Sequence, residues 1–153
     1  MKACLLLSLL CLCAVAQSSK DQTVDVYSRE DLAARAKALA SKGTAFAGED
    51  LKRYNNHYTM LAYRSETGAA EVHEHEADVF VIQTGSGSLL EGGTITQPTT
   101  TKPGEIRGKS IRGGKTVAVA PGTIVHIPAG VPHQLLVTKG QPIAYFVVKV
   151  TGQ

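Results

Sequence analysis

The first third of the chain carries a helical pattern of apolar residues. In SREDLAARAKALASKG, Leu32, Ala36 and Leu39 recur at helical spacing. Ser28 is a suitable N-cap residue before this run, and Gly43 is a suitable stop after it. The pattern predicts one helix that packs a narrow apolar face against the rest of the protein.

Downstream, the apolar residues alternate with polar ones or form short β-branched runs. Gly- and Pro-rich turn signals such as TGSG, EGG and PAGVP separate these runs. The runs are NHYTMLAYR, AAEVHEH, DVFVIQ, SLLEGG, TVAVA, TIVHIP, QLLVT and IAYFVVKV. Eight short strands with no helix between them predict an all-β antiparallel sandwich or barrel.

A Thr-, Gly- and Pro-rich segment, TITQPTTTKPGEIRGKSIRGG, interrupts this rhythm. An insertion of this length predicts a surface loop or an extra hairpin. As a lid over a cavity, it would allow Arg107 or Arg112 to meet an anionic ligand. A solvated loop is the favoured interpretation, and the lid is the alternative.

The first sixteen residues, MKACLLLSLLCLCAVA, have the pattern of a secretory signal. Lys2 precedes an apolar run that is shorter than the roughly 20 residues needed to cross a bilayer. Small residues at Ala14 and Ala16 predict cleavage near residue 16. The sequence therefore predicts an exported protein, in the periplasm or outside the cell, without a stable membrane anchor.

Loss of this segment changes the remaining composition. All three cysteines lie within it, so the exported chain is expected to fold without a disulfide. Loss of Lys2 leaves 15 of the 16 Lys and Arg residues against 13 Asp and Glu. This near balance argues against nucleic acid as the main partner.

The candidate chemistry begins in EVHEHEAD, which places two histidines among four carboxylates. On one strand, His73 and His75 would share a face, whereas Glu74 and Glu76 would point away. Two imidazoles in this arrangement form a clamp for a transition metal. A complete site needs further ligands from elsewhere in the chain.

A second motif supplies a further candidate ligand. In PGTIVHIPAGVPHQLLV, five residues separate Gly122 from Pro128, and Gly130 and His133 follow. This segment resembles the second motif of the cupin superfamily, G-x5-P-x-G-x2-H-x3-N. The His73-x-His75 pair resembles the first, G-x5-H-x-H-x3,4-E-x6-G. The resemblance covers roughly residues 68–137.

The match departs from the cupin motifs at three positions. Four rather than five residues separate Gly68 from His73, and Val137 occupies the asparagine position. The glutamate of the first motif has no strict equivalent, and a six-residue gap before Gly85 leads to Asp78. The resemblance therefore implies Asp78 as the carboxylate ligand, with Glu76 as the alternative.

The resemblance implies a double-stranded β-helix, the cupin jelly-roll barrel, with a metal inside one mouth. The implied ligands are His73, His75, Asp78 and His133. They suit Fe, Mn, Ni, Co, Cu or Zn, whose identity the residues do not reveal. No organic cofactor is expected, and no catalytic residue outside the metal shell is identified.

Three functions remain open. The first is a metal-dependent enzyme, an oxygenase, isomerase or decarboxylase acting on a small acid or carbonyl compound. The second is a cupin that binds a sugar or small acid without turnover. The third is a structural protein, because the alternating segment DQTVDVY suits pairing in a homodimer.

The predicted organisation has three parts. Residues 1–16 form the signal, residues 17–50 an N-terminal arm with the helix, and residues 51–153 the barrel. The other two histidines, His57 and His126, match no motif position. They are interpreted as structural or solvated residues.

Overall fold

A computed structural model describes residues 24–153 of the chain. The predicted signal segment and the start of the predicted arm lie outside these residues. The described elements are α1 (Arg29–Ala40), β1 (Phe46–Arg53), β2 (His57–Arg64), β3 (Ala70–His73), β4 (Glu76–Thr84), β5 (Gly87–Glu91), β6 (Thr94–Thr96), β7 (Thr99–Lys102), β8 (Glu105–Gly108), β9 (Ser110–Arg112), β10 (Lys115–Val119), β11 (Ile124–Ile127), β12 (His133–Val137) and β13 (Ile143–Thr151).

The strands form two larger antiparallel sheets and a two-stranded ribbon. The order in the first sheet is β1-β2-β13-β4-β11, and that in the second is β10-β5-β12-β3-β8-β7. Strands β6 and β9 form the ribbon. Buried side chains from both sheets, including Phe80, Leu89, Leu135 and Tyr145, make one apolar cluster. The predicted all-β double-stranded β-helix is confirmed.

Strand β13 shows how the two-residue period divides the protein into layers. Ile143, Tyr145 and Val147 belong to the cluster inside the barrel. Ala144 and Phe146, which alternate with them, pack with the helix cluster instead. Since successive strand residues point to opposite faces, this strand separates the barrel interior from the helix.

Helix α1 packs on the outer face of the first sheet. The Ser28 hydroxyl accepts a hydrogen bond of 3.0 Å from the Asp31 backbone N–H and caps the first turn. Leu32, Ala36 and Leu39 are buried in the same cluster as Leu61 of β2. These contacts confirm the helix and the apolar face predicted from the sequence.

All eight predicted strands are present, and the structure adds five others. Strand β1 pairs with β2 and crosses the predicted boundary between the arm and the barrel. The segment predicted as a loop or hairpin contains β6 to β9. Because β8 pairs with β3, part of that segment belongs to the second sheet. The interpretation as a solvated loop is wrong for this part.

The predicted dimerisation arm is described only from Val24 onward. Val24 to Tyr27 have no regular secondary structure, and Val24 and Val26 are exposed. Homodimerisation stays a prediction. Within residues 24–153, no helix has the length and apolar character required to cross a bilayer.

Substitution of Leu61 tests the packing of the helix on the sheet. Leu61 is fully buried beneath α1, so Leu61→Ala should lower the free energy of unfolding by about 2–5 kcal/mol. Ile124→Ala is the control, because 69% of Ile124 is exposed and its loss should cost less than about 0.5 kcal/mol. Denaturant unfolding measures both values. Equal losses would contradict this packing.

Candidate metal centre

A cavity of about 270 Å³ lies inside the barrel, between strands of both sheets. Part of its wall is apolar and includes Met60, Phe80 and Val147. Another part is formed by ionisable side chains, namely Asp50, Arg64, Glu71, His73, Glu76, Asp78, Lys102, Glu105, Arg107, His133 and Lys149. The cavity therefore combines an apolar wall with a dense group of charges.

Strands β3 and β12 bring the central donor groups together. Glu71 and His73 are alternate residues of β3 and share a face of the strand. His133 of β12 pairs directly with Glu71 across the sheet. The imidazole centroids of His73 and His133 lie 5.4 Å apart, and each residue is only 5% exposed. The two distant sequence motifs thus meet at this point.

The turn before β12 sets the position of His133. It contains Pro128 and Gly130, and Gly130 has φ of 76°, a conformation that glycine adopts without strain. The Gly130 backbone N–H donates a hydrogen bond of 2.8 Å to the His73 carbonyl. The turn is therefore tied to the end of β3, next to the second imidazole.

A single hydrogen bond determines which His133 nitrogen is available. Nδ1 lies 3.0 Å from the Val131 carbonyl oxygen, which only accepts, so Nδ1 carries the proton. Burial lowers the pKa of His133, which favours the neutral ring. Nε2 therefore offers a lone pair toward the cavity, as in histidines whose other nitrogen is oriented by a backbone carbonyl.

His73 offers a second buried nitrogen. Its Nε2 has no hydrogen-bond partner among the described residues, although buried polar atoms are normally paired. It lies 3.4 Å from Glu71 Oε2 and 3.6 Å from Asp78 Oδ2. Metal bonds of about 2.1 Å hold ligand atoms about 3–4 Å apart, which matches these spacings. One donor atom each from Glu71, His73 and His133 lies within 4.8 Å of the others. This cluster can hold a metal ion.

Two arginines orient the carboxylate of Glu71. Its Oε1 accepts hydrogen bonds from Arg64 Nη2 at 3.2 Å and Arg107 Nη1 at 3.0 Å. Oε2 is left facing His73. Burial raises the pKa of Glu71, but the neighbouring His73, Arg107 and Arg64 outweigh this effect and lower it to about 2. The carboxylate is therefore ionised and available as a ligand at neutral pH.

Glu105 lies on the other side of the His73 ring. Its Oε2 is 3.8 Å from His73 Nδ1, which is too long for a direct hydrogen bond. Its Oε1 accepts hydrogen bonds from Arg107 Nε at 2.6 Å and Thr101 Oγ1 at 2.9 Å. Burial raises the pKa of Glu105, but these bonds and that from Lys102 lower it to about 2.

Asp78 lies beside both imidazoles but is paired with a lysine. Its Oδ2 is 3.6 Å from His73 Nε2 and 3.7 Å from His133 Nε2. Lys149 stands directly opposite on β13, with Nζ 2.7 Å from Oδ1 and 2.9 Å from Oδ2. Asp78 is 2% exposed and Lys149 9%. Asp78, the carboxylate that the motif implies, thus lies near the site, and the charge of Lys149 already balances its charge.

The expected arrangement of His73 and His75 on one strand is wrong. Strand β3 ends at His73, and the Glu74 N–H beyond it donates to the Gly104 carbonyl at 2.8 Å. His75 lies in the following bend, and its side chain is exposed. Among the described residues, it is neither in the donor cluster nor in the cavity wall. Its role as a ligand stays a prediction that this placement does not support.

The remaining candidates divide between the cavity and the surface. Glu76, the alternative carboxylate, is half-buried and lines the cavity. Arg107 also lines it, whereas Arg112 is exposed. His126 is exposed, and His57 stacks on Tyr54 with ring centroids 4.2 Å apart.

The sequence interpretation missed two residues that shape the site. Glu71 stands two positions before His73, so the strand period alone could have placed it on the same face. Lys149 is the lone charge in the run IAYFVVKV, in phase with the interior residues Tyr145 and Val147. That phase was a signal for a buried ammonium group.

Solved structures with the same architecture include three informative examples. The cupin domain of Cnp3 from Schizosaccharomyces pombe has a TM-score of 0.53 at 9% identity, over 71% of this chain and 66% of that chain. A Klebsiella pneumoniae protein with a double-stranded β-helix domain has a TM-score of 0.52 at 14% identity, over 71% and 74%. The DMSP lyase DddQ from Ruegeria pomeroyi has a TM-score of 0.51 at 17% identity, over 72% and 49%.

These similarities are similarities of fold. This chain spans about half the length of DddQ. No protein-family model matches the sequence, and no curated protein matches it. The strand order, the interior cavity and the solved structures agree on one architecture. By its fold, the chain is a double-stranded β-helix protein, as these solved structures are.

Proposed function

We propose that this protein is a metal-binding cupin that holds a divalent transition metal between Glu71, His73 and His133. The observation that carries the proposal is the buried, unpaired Nε2 of His73, which faces carboxylate oxygens at ligand spacing. The free Nε2 of His133 supports it, because the Val131 carbonyl holds the proton on the other nitrogen. Asp78 lies beside these ligands but is paired with Lys149.

Two imidazoles and a carboxylate suit Fe, Mn, Ni, Co, Cu or Zn. A bound ion would supply Lewis acidity and open coordination positions for a ligand. The protein's own residues support such an ion, because Arg64 and Arg107 hold Glu71 ionised and oriented.

The charges around the cavity favour a small acid or carbonyl compound as its ligand. The lining contains five acidic side chains, Asp50, Glu71, Glu76, Asp78 and Glu105, and four basic ones, Arg64, Lys102, Arg107 and Lys149. A divalent cation would change the formal sum of these charges from −1 to +1. The loaded cavity would then attract an anion or a polarisable carbonyl group.

An enzyme is the first candidate, as a metal-dependent oxygenase, isomerase or decarboxylase. DddQ is a lyase with this fold, but the low identity extends only the fold to this chain. A non-catalytic binding protein is the second candidate. The pairing of Arg64, Arg107 and Lys149 with carboxylates favours this second candidate. These basic groups are held in ion pairs and are not free to transfer protons in a reaction.

We further propose that the protein acts after export. The signal pattern in residues 1–16 supports this, together with the absence of cysteine from the remaining sequence.

Metal content is the first test of the site. Purified untagged protein should contain about one transition metal per chain. His133→Ala should weaken metal binding by more than about 100-fold, which exceeds the usual effect of an outer-shell change. Elemental analysis and calorimetric titration give the stoichiometry and affinity.

His75→Ala is the matched control for this test. It removes an exposed imidazole from the neighbouring bend, so metal affinity should change by less than about threefold. If His75→Ala abolished binding as His133→Ala does, the proposed ligand set would be wrong.

The carboxylate ligand is tested with two glutamates three residues apart. Glu71→Gln should lower metal affinity by at least about tenfold, because a charged ligand is replaced by a neutral amide. Glu74→Gln should have little effect, because Glu74 is exposed. Isothermal titration with Zn²⁺ measures both. Equal losses would exclude Glu71 as a specific ligand.

Turnover separates an enzyme from a binder. The metal-loaded protein should consume oxygen, isomerise or decarboxylate at least one compound in a panel of small acids and carbonyl compounds. A His73→Ala variant, which lacks a proposed ligand, should be inactive. A metal-loaded protein that binds compounds from the panel but converts none would be a binding cupin.

A further inference from the structure

We propose that Lys149 keeps Asp78 out of the metal's coordination sphere and thereby sets the metal preference of the site. Lys149 would favour ions that bind well to imidazole, such as Zn²⁺, over ions that prefer carboxylates, such as Mn²⁺. This inference rests on the proposed metal-binding function and extends it to selectivity.

The strand period directs Lys149 and Asp78 into the barrel. Lys149 follows Tyr145 and Val147 at two-residue spacing on β13, and both of those residues belong to the interior cluster. Asp78 precedes Phe80, another interior residue, at the same spacing on β4. The register pairs Lys149 directly with Asp78. The ion pair is therefore built into the sheet.

The ammonium group lies close to both oxygens of the carboxylate and donates a hydrogen bond to Oδ2. Lys149 Nζ lies 2.7 Å from Oδ1 and 2.9 Å from Oδ2. The same Oδ2 lies 3.6 Å and 3.7 Å from the Nε2 atoms of His73 and His133. This spacing would suit a further ligand of an ion held by the two imidazoles. Lys149 thus competes with the metal for one oxygen atom.

Removal of Lys149 from a buried position is energetically unfavourable, because it would leave Asp78 as an uncompensated charge. Lys149 therefore remains paired with Asp78, and Glu71 is the carboxylate that would coordinate the ion. Glu71 is held differently, since two arginines bind its Oε1 and leave Oε2 toward His73. The two carboxylates beside the imidazoles consequently have unequal access to a metal.

The difference in access between Asp78 and Glu71 determines which side chains are available to coordinate an ion. With Asp78 engaged, the protein offers two imidazole nitrogens and the Glu71 carboxylate. With Asp78 released, it would offer two nitrogens and two carboxylates. Imidazole suits Zn²⁺, whereas carboxylates suit Mn²⁺. A released Asp78 should therefore help Mn²⁺ more than Zn²⁺.

The test is Lys149→Met, which keeps the length of the side chain and removes its charge. Its Mn²⁺ affinity should rise by about tenfold or more, and the ratio of Zn²⁺ to Mn²⁺ affinity should fall by at least about threefold. Electron paramagnetic resonance of free Mn²⁺ and chelator competition for Zn²⁺ measure the two affinities. Neither readout requires turnover.

Two controls separate ligand release from loss of charge. Lys102→Met removes a cation that pairs with Glu105 at the same cavity, with Nζ 3.2 Å from Oε2, and should leave the metal ratio unchanged. In the double variant Lys149→Met/Asp78→Asn, no buried charge is unpaired and no second carboxylate is released. Its metal ratio should return to that of the wild type.

If Lys149→Met is destabilised, Lys149→Gln replaces it in the same measurements, because its neutral amide holds Asp78 less strongly than the ammonium group does and should shift the metal ratio in the same direction. Thermal melting of each variant without metal verifies folding. A metal ratio unchanged in the folded single variant, or a shift that persists in the double variant, overturns the role of Lys149.

The outcomes also separate this inference from the proposed function. If the wild type binds metal and Lys149→Met binds it with the same preference, only the inference fails. If the wild type binds none but Lys149→Met binds Mn²⁺, the proposed function fails and Lys149 is the residue that blocks the site. If neither protein binds metal, both proposals are wrong.

Discussion

Charges buried inside a small barrel must be matched by opposite charges within a few ångströms, and this constraint organises the whole site. An unpaired buried ion costs several kcal/mol, roughly the margin by which a domain of this size is stable. The sheet register provides the matches. Lys149 stands opposite Asp78, and Arg107 stands opposite Glu71, each pair formed by neighbouring antiparallel strands. The apolar cluster and the charged cavity can therefore occupy the same barrel interior.

The two imidazoles are placed within this framework of paired charges. Burial lowers the pKa of His133, and the Val131 carbonyl orients its ring. His73 lies between Glu71 and Asp78 on its Nε2 side and Glu105 on its Nδ1 side. Its buried Nε2 is an exception to the general pairing of polar atoms at the site. A cation at this point would satisfy the nitrogen and the carboxylate oxygens together, and this is the physical reason for assigning a metal there.

Features governed by short-range patterns could be predicted from the sequence, and features governed by distant pairings could not. The helix follows from the spacing of Leu32, Ala36 and Leu39, and the position of His133 follows from the Pro-Gly turn before it. The end of β3 does not follow from local residues. Just beyond it, the Glu74 N–H bonds to the Gly104 carbonyl, which belongs to a segment interpreted as a loop or hairpin. In the structure β3 ends at His73 and His75 lies in a bend, whereas the strand period places Glu71 on the same face as His73.

The two arginines of the cavity are better explained as residues that hold the Glu71 carboxylate in place than as binding groups for an anionic small molecule. Arg64 and Arg107 both bind Glu71, and Arg107 also binds Glu105, so their charge is already compensated. An anionic compound entering the cavity would gain attraction chiefly from an added cation, which reverses the formal charge of the lining. Binding of the ion and of the anion would then strengthen each other, and thermodynamic linkage requires the two effects to be equal. In such a site the arginines act on the small molecule indirectly, because they keep Glu71 ionised and hold its free oxygen toward the metal.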